Sequence, residues 1–197
     1  NYDLSTYTKL RDKYLSLKQK QPMLFYTHGE YPGHSQNSGK CHKNEKKKYF
    51  EGMSKANKQM KKNISLLKKN NPDSIIVILG DHGPYLTKNC TALQNFQQSE
   101  INRFDIQDRY GTFLAIQWPK KIEVKKFDIK MIQDIFPAIL GNITNNEKLF
   151  DELRIERDLL HDNKKRIAGV NVKNGKIIGG ADNNKPLFQN KTYNLEN

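Results

Sequence analysis

The sequence predicts an α/β fold built on a largely parallel sheet, with a small β-hairpin near the carboxyl end. Three observations carry that expectation. "SIIVILGDHG", from Ser74, is a continuous run of β-branched and aliphatic residues closed by Gly80, the pattern of a strand covered on both faces. "MLFYT", Met23 to Thr27, is a second short apolar run of the same kind. A long helical pattern separates the two, so strand, helix and strand follow in order and a right-handed parallel crossover is the default connection.

The elements follow from spacing. Leu4, Tyr7, Leu10, Tyr14, Leu15 and Leu17 fit one face of a helix over Leu4 to Lys20, with Pro22 just beyond its end. After the Met23–Thr27 strand comes "HGEYPGHSQNSGKCHKN", a Gly-, Ser- and Asn-rich loop holding three of the five histidines. Tyr49, Met53, Ala56, Met60, Ile64 and Leu67 then recur at steps of three and four and define a helix over Glu45 to Asn70. "NNPD" breaks it before the strand Ile75 to Leu79. Thr87 to Asp108 reads as a polar loop, and "YGTFLAIQWP" as a third strand, Gly111 to Trp118, stopped by Pro119. "FDIKMIQDIFPAIL" predicts a helix with Pro137 near a kink or boundary, and Glu147 to Leu160 another. In "IAGVNVKNGKIIGG", Asn174-Gly175 is the signal of a two-residue hairpin turn. Residues 1–182 are expected as one unit and 183–197 as an extended tail.

Composition narrows the function classes. Lys and Arg outnumber Asp and Glu by 34 to 21, a formal charge of +13 that suits an anionic partner. Aromatic residues do not alternate with basic ones as a base-stacking platform requires, and no zinc-finger or RNA-binding motif occurs, so nucleic acid is not the expected partner. No run of 18 apolar residues and no amino-terminal signal pattern is present. The chain begins at Asn1, and a piece processed or excised from a longer protein is one expectation.

Asp81 and His82 end the second strand. The carboxyl edge of an open α/β sheet is where ligands bind, and the loops "THGEYPGHS" and "GDHGP" are expected to leave the sheet at that edge. A carboxylate oxygen and a neutral imidazole form a mixed donor set that suits zinc or manganese better than calcium or magnesium. The pair also has a structural reading, with Asp81 capping the next helix and His82 on the surface.

"PMLFYTHGEYPGHS", a Tyr-bearing helix, "NPDSIIVILGDHG" and "DRYGTFLAIQWP", taken in succession, resemble the carboxyl-terminal half of the sulfatase-like hydrolases of the alkaline phosphatase superfamily. The similarity covers roughly Met23 to Pro119 and is nearest to the membrane-anchored branch of lipoteichoic acid synthases and phosphoethanolamine transferases. It implies a three-layer α/β sandwich, in which Asp81 and His82 bind one catalytic divalent ion. His34, with His28 as the second choice, would contact the transferring phosphoryl group. The implied activity is hydrolysis or transfer of phospho- or sulfo-esters on a cell-envelope lipid or polysaccharide, phosphoethanolamine or phosphoglycerol transfer included. The implied location is the periplasmic or extracellular face of a bacterial cytoplasmic membrane, with the anchor outside this chain.

The family's nucleophile and a further carboxylate ligand lie in the amino-terminal half, and nothing before Met23 resembles that region. The missing amino-terminal part of the same domain is therefore an expected partner. The phosphoethanolamine transferases place a further histidine shortly after the Asp-His strand, and none occurs here between His82 and His161, so the resemblance implies one metal and not two. Arg109 is placed to meet an anionic substrate or to pair with Asp105 or Asp108. Cys41 and Cys90 follow His34 and His82 by seven and eight residues. If both loops rise from one edge, a disulfide would tie them in an oxidising compartment; two unrelated thiols are the other reading. His42 and His161 are read as a solvated and a structural residue. The competing functional class is a non-catalytic basic module that binds acidic glycan or a membrane surface.

Overall fold

The computed structural model describes residues 4–29, 31–35, 41–153, 168–173 and 175–188. Helix α1, Leu4–Ser16, packs on α2, Glu45–Asn70. Leu15 and Arg11 are buried in that contact. Lys62 of α2 reaches Asp12 of α1 at 2.5 Å. The far ends are tied by Asn71, whose Oδ1 accepts from the Gln19 N–H at 2.9 Å and whose Nδ2 donates to Leu17 O at 2.8 Å. Ala56 and Gly52 are buried on α2, and the six predicted face residues, Tyr49 to Leu67, are buried or half-buried.

Strand β1, Ile76–Leu79, pairs with β2, Leu114–Gln117, in antiparallel register, Ile76 opposite Gln117 and Leu79 opposite Leu114. Between them the chain forms two short 3-10 turns and helix α3, Arg103–Tyr110. Asn102 caps α3 by accepting from the Phe104 and Asp105 N–H groups, and Asp105 returns a bond to the Asn102 N–H. Helices α4, Ile135–Ile143, and α5, Lys148–Leu153, pack together, and the Phe127 ring, from the segment before α4, stacks on Phe150 of α5. Pro137 lies in the first turn of α4, where its missing N–H costs no helical bond. Strands β3, Asn171–Lys173, and β4, Lys176–Ile178, form the hairpin expected near Gly175. A tight core joins this hairpin to the α3 region: Leu93, Ile101, Ile106, Val170, Val172, Ile177 and Leu187.

Two expectations are corrected here. The fold is not an α/β three-layer sandwich on a parallel sheet: the described residues form two antiparallel two-stranded sheets among helices. Met23–Thr27 joins neither sheet, and Leu24 and Tyr26 are 78% and 80% exposed. An apolar run records β-propensity, but a strand exists only where another strand lies alongside to take its hydrogen bonds. β2 returns along β1 because α3 and its flanking turns reverse the chain, so the pairing needs no crossover helix. The second correction concerns the tail. Residues 183–188 fold onto the hairpin, with Leu187 3% exposed and its N–H bonded to Gly175 O at 2.8 Å. The rest of the tail, the distal part of the helix expected over 147–160, and His161 lie outside the described residues. No helix among the described residues is long and apolar enough to cross a membrane.

Candidate functional site

Asp81 and His82 stand immediately after β1, at its carboxyl end. Antiparallel pairing puts the residues before β2 at the same end, and Gly80 N–H extends the ladder to Phe113 O at 3.1 Å. The carboxyl end of α3 therefore lies against the "DHGPY" loop. Helix ends leave carbonyls without intrahelical donors. The loop supplies donors here: Gly83 N–H bonds Arg109 O at 3.0 Å and Tyr85 N–H bonds Asp108 O at 3.2 Å. The approach is so close that a Cβ at Gly83 would lie 2.1 Å from Asp108 O. Only glycine fits that position without moving the helix.

His34 arrives from the other side. Its loop lies on α2, where a Cβ at Gly52 would meet Pro32 O at 2.4 Å, and where Lys55 Nζ sits 5.1 Å from the centre of the Tyr31 ring. The same loop is covalently tied to the chain beyond His82 by a Cys41–Cys90 disulfide, Cα–Cα 5.6 Å. The result is a His34–His82 contact with ring centroids 4.7 Å apart.

His82 Nδ1 lies 2.8 Å from Gly83 O. A carbonyl only accepts, so Nδ1 is the donor in this contact and Nε2 is the ring nitrogen left to meet an ion. Nε2 is 3.8 Å from Asp81 Oδ2. Two donors about 2.1 Å from one ion span such a gap, and an imidazole whose other nitrogen is held by a backbone carbonyl is the usual posture of a metal-bound histidine. Asp81 and His82 thus fit a divalent ion as a pair. Among the described residues no three His, Cys, Asp or Glu side chains gather as a metal-holding group. His28 sits apart from the pair's hydrogen-bonding network; its side chain is exposed and its carbonyl accepts from the Tyr7 hydroxyl at 2.8 Å.

Arg109 faces inward and is 4% exposed. Its guanidinium binds Asp108 Oδ2 at 3.0 Å and Thr91 O at 2.7 Å, and its centre lies 4.4 Å from that of the Tyr85 ring. Burial lowers its pKa, and neighbouring Asp108 opposes that shift. Of the two readings of Arg109, pairing with Asp108 is the one present, in the interior and not at the surface. Asp108 is in turn bound by the Thr87 N–H at 2.9 Å and hydroxyl at 3.1 Å. Half-buried Tyr49 of α2 has its pKa raised by burial and by the Asp108 charge. His42 lies just before α2, and its N–H bonds Glu45 Oε1 in the first turn at 3.0 Å.

Sequence reasoning did not single out Tyr85; it named Asp108 only as a partner for Arg109 and Tyr49 only as part of the α2 face. Tyr85 stacks near His82 with centroids 5.3 Å apart. Its presence in "DHGPY", three residues after His82, was a signal in proximity alone. The chain matches no family model, no curated protein and no solved structure.

Proposed function

We propose that Asp81, His82 and His34 form the metal-using part of a site for phospho- or sulfo-ester chemistry, acting on an anionic lipid or polysaccharide of the cell envelope at the outer side of a bacterial membrane. The observation that carries the metal part of this reading is the approach of the His34 and His82 rings, 4.7 Å between centroids, with His82 Nε2 3.8 Å from Asp81 Oδ2. Asp81 Oδ2 and His82 Nε2 would hold the ion, zinc or manganese by donor type, with the remaining ligands and the attacking hydroxyl supplied from outside the described residues. The ion's part would be charge neutralisation and a lowered pKa for a bound oxygen. His34, beside His82, would donate a hydrogen bond to an anionic ester oxygen. The metal part of the reading rests on this cluster; the ester substrate and its location rest on the resemblance of Met23–Pro119 to the sulfatase-like hydrolases.

The test is equilibrium dialysis against zinc or manganese followed by elemental analysis, for the wild type and the Asp81→Ala/His82→Ala double variant. Calorimetry with inorganic phosphate on the metal-loaded protein follows. One bound ion, absent from the double variant, and phosphate binding that is lost in His34→Ala with the metal retained are the expected results. A folded wild type that takes up no metal overturns the proposal.

A second reading is favoured by one observation: Lys46, Lys47, Lys48, Lys55, Lys58 and Lys61 of α2 are all exposed. A basic module binding acidic glycan or membrane would lose its ligand with salt and be indifferent to chelators. The metal-dependent site would respond to chelators.

A further inference from the structure

Tyr85 has a backbone φ of +63°. An aromatic residue in that region is strained by about 1 kcal/mol or more and persists only where its surroundings impose it. They do so here from both sides, since Tyr85 N–H is bonded to Asp108 O at 3.2 Å and Tyr85 O accepts from the Cys90 N–H at 2.8 Å. The ring is held as firmly as the backbone. Arg109 lies over it at 4.4 Å, and that guanidinium is itself fixed by Asp108 and Thr91 O. His82 lies against the same ring at 5.3 Å, tilted by 31°.

We infer that Tyr85 is the positioning residue of this site: clamped by Arg109, its ring holds the His82 imidazole in the orientation that keeps Nδ1 on Gly83 O and presents Nε2 beside Asp81. A single hydrogen bond to Gly83 O leaves an imidazole free to rock about the bond; the Tyr85 ring, centred 5.3 Å away, and the exposed His34 ring, centred 4.7 Å away, flank it, and of the two only Tyr85 is itself clamped by a buried group, Arg109. The functional consequence rests on the reading of Asp81 and His82 as an ion-binding pair. The positioning itself does not.

Two variants separate the ring from the backbone. Tyr85→Phe keeps the ring; Tyr85→Asn removes it while retaining a residue that tolerates φ > 0. Each full-length variant is titrated with zinc by calorimetry, its thermal midpoint is taken, and the histidine ring signals are recorded by 1H–13C and long-range 1H–15N NMR without metal. For Tyr85→Phe, the zinc affinity and the His82 signals of the wild type are expected. For Tyr85→Asn, we expect roughly 10- to 100-fold weaker zinc binding, the loss typical when a ligand's support is removed. The ring-current shift and single tautomer of His82 should be lost with it, while the protein stays folded. If the wild type binds no zinc but Tyr85→Asn still releases the His82 ring, the positioning stands and the metal reading fails. Unchanged His82 ring signals in folded Tyr85→Asn overturn the inference, whatever the metal does.

Discussion

Gly52 decides where His34 can be. The Tyr31–Ser35 loop lies on α2 so closely that an alanine Cβ at this position would be 2.4 Å from the Pro32 carbonyl oxygen, well inside contact distance. Backbone, not a flexible side-chain tip, is what it would strike. Gly52→Ala is therefore expected to cost about 1–3 kcal/mol, in the range of other overpacked sites, read as a lower urea midpoint. The same shift should loosen the His34–His82 contact and abolish phosphate binding by the metal-loaded protein. An unchanged midpoint would show that the loop does not seat on α2. Asp81 and His82 drew notice in the sequence from their residue types and their place after an apolar run, and His34 from the resemblance; the structure brings the His34 and His82 rings together. Gly52 was not, because a glycine in a helix pattern records nothing about what lies against it.

At the scale of elements, α3 is the support of the site. Its last carbonyls receive the Gly83 and Tyr85 N–H groups, and its Arg109 and Asp108 side chains lie behind the Tyr85 ring. Its start depends on the Asn102 side chain, which accepts from Phe104 N–H at 2.8 Å and Asp105 N–H at 3.2 Å. Asn102→Ala should cost about 1 kcal/mol, the usual loss for a capping side chain, measured by denaturant titration. Faster amide exchange at Gly83 and Tyr85 should accompany it. A stability loss without faster exchange there would uncouple α3 from the loop. The spacing of α2 told its face in advance, since twenty-six residues offer many turns over which a period can repeat. The eight residues of α3 carry little more than two turns, and Ile106 alone of them is a fully buried aliphatic. The capping pair Asn102 and Asp105 was the available sequence signal.

For the whole molecule, the Cys41–Cys90 disulfide closes a loop of 49 residues that contains all of α2 and β1. In the chain-entropy picture a closure of that length contributes about 4 kcal/mol. The Cys41→Ser/Cys90→Ser double variant should lose up to that amount and become indifferent to reductant, whereas the wild type should fall in stability when reduced. Equal denaturation curves with and without reductant would show that the bond does not hold the native state. Loss of the bond should also free the His34 loop from the chain beyond His82, weakening phosphate binding before α1 and α2 come apart. The core that organises the carboxyl half joins segments read as loop and tail: Leu93 and Ile101 from the turns before α3, and Leu187 from beyond the hairpin. What the sequence by itself determined is local. Periodicity placed α1 and α2, the apolar run placed β1, the Asn-Gly turn placed the β3–β4 hairpin, and residue chemistry drew attention to Asp81 and His82. What only the tertiary structure decided is partnership: β1 with an antiparallel β2, Met23–Thr27 with no strand, Arg109 with Asp108 and Tyr85, and Leu187 with the core. The physical reason is that periodicity and propensity are properties of neighbours along the chain. Strand pairing, burial of an isolated aliphatic and the packing of one ring on another are properties of neighbours in space.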